Sequence, residues 1–94
     1  MAVLDDNLIL EILKTDLQIS VSNYDGYLKN LIDLSKAAIK GEGIKLDESE
    51  SEHGMVVEMY ASYLYRKRRE EQAVMPRYLR YLLNNLLLSQ KGSV

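Results

Sequence analysis

At 94 residues, with 47% apolar side chains, the chain holds material for one small domain with a single modest core and not for two. It has no cysteine, which excludes a disulfide framework and a thiolate metal site and fits a reducing or redox-indifferent compartment. Its apolar runs are far shorter than a membrane span, and "MAVLDDNLIL" carries acids where a secretory leader needs bases, so a soluble, unprocessed protein with no membrane partner is expected.

Strict apolar/polar alternation is absent, proline occurs once, and leucine, lysine and glutamate abound; the pattern predicts an all-α fold of four helices. The first starts near Asp5 or Asp6, whose carboxylates suit the positive end of a helix dipole, and runs through "NLILEILK". "TDLQISVSN" reads as a connector. Asn23 is the expected cap of a second, amphipathic helix from Tyr24 to Lys40, with Tyr24, Tyr27, Leu28, Leu31, Ile32, Leu34, Ala38 and Ile39 on one broad face. Gly41 and Gly43 stop it.

A third helix is expected to open on the capping box Ser49 to Glu52 and to reach about Glu71. Its middle, "MVVEMYASYLY", is apolar around most of the circumference and leaves a narrow polar stripe of Glu58, Ser62 and Arg69. Pro76 suits the first turn of a fourth helix. On that helix Tyr78, Leu79, Leu82, Leu83, Leu86 and Leu87 form a core-facing arc, Arg77, Arg80 and Asn84 a polar stripe, and Tyr81 with Leu88 a second apolar patch beyond it. A domain this small gives each helix two or three neighbours at most, so part of this apolar surface is expected to be covered by another chain. After Leu88, Gly92 is expected to end the helix, and the segment Ser89, Gln90, Lys91, Gly92, Ser93 and Val94 is expected to be a flexible tail.

The net charge of −2 conceals a split. Residues 1–65 hold five lysines against twelve acids, a balance of −7, and residues 66–94 hold seven bases against two acids, a balance of +5. The densest feature is "RKRREE". Its bases Arg66, Lys67, Arg68 and Arg69 suit phosphate contacts, but equally the negative end of a helix dipole and salt bridges to Glu70, Glu71 or an acidic neighbour. The salt-bridging or subunit-contact reading is preferred, because the bases are spread round the helix and a basic patch alone reads no sequence.

Other chemistry is sparse. "DESESEHGMVVE" imitates the oxygen spacing of a calcium loop, but Glu52 stands where that loop needs glycine. His53 is the single histidine and has no second ligand at metal-binding spacing. No nucleophile elbow or phosphate-cradling glycine loop is present, so no catalytic, cofactor or metal site is expected.

The order and spacing of "GIKLDES", "MYASYLYRKRR" and "MPRYLRYLLNNLLLSQK" resemble the small helical head-tail connector proteins of long-tailed bacteriophages and prophages, over most of the chain. The resemblance implies a small antiparallel helical bundle, residues 1–94, that acts as a non-enzymatic adaptor in the virion after assembling in the bacterial cytoplasm. Its copies would form a ring beneath the portal protein, continue the DNA channel without reading sequence, and offer a surface to a downstream neck or tail-completion protein. Tyr81, Leu88 and Arg66 to Arg69 would then lie between subunits, and Ser89 to Val94 would dock on the portal. Two alternatives stand beside it: a helical DNA-binding regulator using Arg66 to Arg69, Arg77 and Arg80, and a helical interaction module unrelated to virions.

Overall fold

The chain folds as expected into helices, and a computed structural model describes residues 5–47 and 49–92. Asp5 begins α1 (Asp6–Asp16): its carboxylate accepts the Leu8 amide at 2.9 Å, satisfying one of the free N–H groups of the first turn. Ile9, Leu10 and Leu13 form its buried side. The helix ends at Asp16, two residues later than "NLILEILK" suggests. Its final carbonyls are closed by Ile19 N–H on Lys14 O (2.8 Å) and Gln18 N–H on Thr15 O (3.1 Å), the double bond of a Schellman stop. Gln18 takes the left-handed position at φ 59, where glycine is the usual residue.

A short 3₁₀ turn, Ser22–Tyr24, precedes α2 (Asp25–Gly41). The expected Asn23 cap is therefore not formed, and Tyr24 stands before the first α-helical turn, exposed rather than in the core. Leu28, Leu31, Ile32, Ser35 and Ile39 are buried, and the Ser35 hydroxyl donates to Leu31 O at 2.7 Å, which satisfies it inside the core. Leu34, at the edge of the apolar arc, is exposed. The stop comes at Gly43, with φ 96, while Gly41 is still helical.

The capping box expected for α3 (Ser51–Arg69) is also absent. Asp47 captures Ser49 instead: its Oδ1 accepts the Ser49 N–H at 2.9 Å and the Ser49 hydroxyl at 2.7 Å, while the Asp47 N–H donates to His53 Nδ1 at 2.8 Å. These bonds hold the Asp47 carboxyl below its ordinary range and turn Ser49 away from the helix. Glu50 takes the cap position with no side-chain bond. The helix α4 (Arg77–Gly92) follows Pro76, whose carbonyl accepts the Arg80 N–H at 3.1 Å.

The ion pairs Lys36–Asp6 and Lys14–Asp25 (2.8 Å) join α1 and α2 in opposite chain order, so the two are antiparallel. Tyr27 meets Tyr65 at one end of α2 and Lys40 lies by His53 at the other, so α3 returns alongside. Pro76 lies beside Tyr63 and Arg66, and Leu86 beside His53, so α4 turns back again. Helices α1, α2 and α3 pack on one another, and α4 packs on α3. Glu58 of α3 lines a groove with α1, whereas Tyr60 lies by Arg80 of α4 and Glu42; two helical positions differ by about 160° in direction, so α1 and α4 flank α3 on opposite sides. The result is a slab of 44 × 36 × 18 Å, two helix layers thick.

Three contacts fix α4. The Arg80 guanidinium forks onto Glu42, Nη1 to Oε1 at 2.8 Å and Nη2 to Oε2 at 3.0 Å, and this bond lowers the Glu42 carboxyl pKa. Leu79, Leu83 and Leu86 enter the core. Gln90 bonds the Lys45 backbone twice, accepting its N–H and donating to its O, each at 2.8 Å.

Gly92, expected to end the helix, is its last residue, and Gln90, expected within a flexible tail, is tied to the Lys45 backbone. α4 continues through Gly92, since the Gln90 amide has a backbone partner to hold it; Ser93 and Val94 lie outside the described residues. Deleting Ser89 to Val94 should therefore lower stability by about 1–2 kcal/mol, measured by urea unfolding, with Gln90→Ala accounting for most of it. Gln18→Gly should raise stability by up to about 1 kcal/mol in the same assay, by relieving a left-handed non-glycine residue.

Candidate functional site

The outer surface of α4 leaves three large apolar or aromatic side chains open. Leu79, Leu83 and Leu86 share the side that meets the core, and the opposite side carries Tyr78, Tyr81 and Leu88, exposed by 63%, 60% and 67%. Tyr78 was expected in the core-facing arc. It stands about 100° from Leu79 on the helix and lies outside that arc, stacked instead on Tyr81 with ring centroids 6.4 Å apart and planes at 20°. Tyr81 and Leu88, singled out by the sequence, thus lie together on one open face.

The basic cluster closes α3. Arg66, Lys67, Arg68 and Arg69 are all exposed and leave the helix at steps of about 100°, so they present no single cationic face. Each of the last three has a partner within the chain. The Arg68 guanidinium lies 5.7 Å from the Tyr27 ring centre, and Arg69 lies 5.5 Å from that of Tyr65 while donating to its hydroxyl at 3.0 Å. Lys67 donates to the carbonyls of Glu71 (3.5 Å) and Ala73 (3.2 Å) just past the helix end, where a cation complements the dipole. The expected pairing with Glu70 or Glu71 carboxylates does not form: among the described residues no ion pair involves these four bases.

A third feature was not legible as a site. Glu58 and Ser62, expected on an exposed stripe, are buried, at 4% and 5% exposure. Gly54, one turn before Glu58, lines a hollow with Ile9 of α1, and α1 packs on α3. Glu58 Oε2 is enclosed without a hydrogen-bond partner. Burial, reinforced by the neighbouring Asp16 carboxyl, pushes the Glu58 pKa up to about 7, against an opposing pull from Arg66. Around it, Glu11, Ile12, Thr15, Asp16 and Met55 line an open groove between α1 and α3. The available signal was a single glutamate inside "GMVVEMYAS" with glycine four residues before and serine four after, a spacing that marks close helix approach.

Among the described residues, no group of three or more His, Asp or Glu is placed to hold a metal ion, and no helix is long and apolar enough to cross a membrane. No protein family, curated protein or solved structure matches the chain.

A buried acid whose folded pKa is raised favours the folded state while protonated. That contribution is fully present below the ordinary glutamate range and is lost as pH rises through about 7. Stability should fall by about 2 kcal/mol between pH 5 and pH 8, less than the full shift implies because the groove admits solvent. Glu58→Gln, which keeps the shape and removes the titration, should flatten that profile in chemical denaturation at the two pH values.

Proposed function

We propose that the protein is a non-enzymatic structural adaptor at the head–tail junction of a long-tailed bacteriophage or prophage. Its copies form a ring under the portal, continue the DNA channel and present a surface to the neck or tail. The observation that carries this reading is the open apolar face of α4, Tyr78, Tyr81 and Leu88, on a helix whose other side is already packed. A slab only 18 Å thick offers that face no cover from its own chain. In a ring, repeated contact between neighbours supplies the cover, and the acid-rich and base-rich parts of the chain supply complementary charge. The four helices then serve as an antiparallel bundle-like protomer, and the helical end of α4 at Ser89 to Gly92, with Ser93 and Val94, docks on the portal.

The second reading, a helical DNA-binding regulator, draws on Arg66 to Arg69, which are exposed and without carboxylate partners among the described residues. Their spread round the helix and the engagement of three of them by tyrosine rings and carbonyls favour the adaptor.

Portal rings encoded in the same genome should capture the protein in sedimentation assays, and ring-shaped density should appear beneath them in negative stain. Tyr81→Asp with Leu88→Asp should reduce bound copies roughly tenfold or more while circular dichroism stays helical, because charge at a packed contact is costly. Salt-sensitive duplex binding that disappears in the Arg66→Gln, Lys67→Gln, Arg68→Gln, Arg69→Gln variant, with no portal capture by the parent, would overturn the adaptor in favour of the regulator.

A further inference from the structure

Two open surfaces lie on opposite sides of α3, and they match. On α4, Arg77, Tyr81, Asn84, Leu88 and Lys91 follow one another at intervals of four, three, four and three residues, and all five are exposed. This is the heptad spacing of a seam that faces another helix, with a polar residue in the middle of the kind that fixes register. α4 contains no acidic residue, so the seam is purely cationic at both ends. On the other side of α3 the groove floor is apolar, through Ile12 and Met55, and acidic along its edge, through Glu11 and Asp16.

We infer that the α4 seam of one copy seats in the α1–α3 groove of a second copy, a head-to-tail contact between two different patches of the same chain. Its biological setting rests on the adaptor reading. Charge selects the occupant first: two α4 seams laid together would oppose Arg77 and Lys91 to one another with no acid in either helix to neutralise them, whereas the groove offers carboxylates.

Register selects it a second time. Within one copy Asp16 and Pro76 line the same hollow, so the Arg77 end of α4 is level with the Asp16 end of α1, and the two helices run in opposite directions. A neighbour related by rotation about an axis along the helices keeps that register. Its Arg77 then meets Asp16 and Glu11, its Tyr81 meets Ile12 and Met55, and its Leu88 and Lys91 reach toward Leu8 and Asp5. At 1.5 Å per residue Arg77 to Lys91 spans about 21 Å and Asp5 to Asp16 about 16 Å, a difference that two long basic side chains absorb. Donor and acceptor patches differ, so each copy carries one of each and the contact repeats until rotation closes it.

The absence of native cysteine makes a thiol test clean. Glu11→Cys and Tyr81→Cys, both at exposed positions on opposite sides of α3, cannot join within one chain. The double variant should give a ladder of disulfide-linked dimers, trimers and higher species on mild oxidation at protein concentrations up to about 1 mM, where even a weak contact is populated. The two single variants should cross-link only when mixed, and only as dimers containing one of each. Dimers of the Tyr81→Cys variant alone, or no ladder at the highest concentration, would overturn the contact. Portal capture without a ladder removes this interface and leaves the adaptor reading standing; a ladder without portal capture does the reverse.

Discussion

The fold depends on α3 being approachable from every side. α1 and α2 both pack on it, Gly54 and Val57 line a hollow with Ile9 of α1 and Lys36 and Lys40 of α2, Tyr65 meets Tyr27 of α2, and Tyr60 stands toward the Glu42–Arg80 pair of the α4 side. The middle of this helix carries little charge, and its one central acid, Glu58, is buried at the side of the α1–α3 groove. Burial raises the Glu58 carboxyl pKa to about 7, the neighbouring Asp16 carboxyl adds to the rise, and among the described residues no ion pair involves Glu58. Arg66, one helical turn past Ser62, moderates that shift without removing it.

The same constraint explains how α4 is attached. With α3 committed to α1 and α2 on two of its sides, α4 shares less surface with the rest of the chain than the other helices do, and polar contacts at its two ends complete the docking. Arg80 forks onto Glu42 near one end, and Gln90 clasps the Lys45 backbone near the other. Both partners, Glu42 and Lys45, belong to the first part of the link between α2 and α3, so a turn that sequence reading treats as a mere stop is the anchor of the last helix. Gly43 serves the turn through its positive φ, which ends α2 and which a residue with a side chain rarely adopts.

What the sequence made legible follows from how local each signal is. Asp5 as a cap, Gly43 as a stop and Pro76 at the head of α4 are decided by one residue and its own backbone, and the structure places them where local chemistry puts them. The Ser49–Glu52 box failed because another local bond won: Asp47 took both the amide and the hydroxyl of Ser49. Gln18 was illegible as a helix end because the residue that normally announces a left-handed stop is glycine. Helical periodicity marks Glu58 and Ser62 as a polar stripe but does not tell that α1 packs over α3 there and buries them. On α4 the arc was read too wide, which brought Tyr78 inward, yet Tyr81 and Leu88 were separable from the core because they sit on the far side of Leu79, Leu83 and Leu86.

The aromatic content gives the open face its character. The chain has seven tyrosines and neither phenylalanine nor tryptophan. The buried core is aliphatic, built on leucine, isoleucine and valine with one alanine, and no tyrosine is fully enclosed. Every aromatic ring therefore sits at a boundary, where its body packs and its hydroxyl stays in reach of water or a partner: Tyr65 accepts from Arg69, and Tyr78 stacks on Tyr81 in the open. A surface of this kind tolerates exposure better than phenylalanine would, since a hydroxyl keeps its hydration until another surface replaces it. Asn84 and Asn85, both exposed on the same helix, break the apolar run between Tyr81 and Leu88 to the same effect. Tyrosine at the rim of an aliphatic core thus leaves a surface apolar enough to be covered by another surface and polar enough to stay hydrated while open.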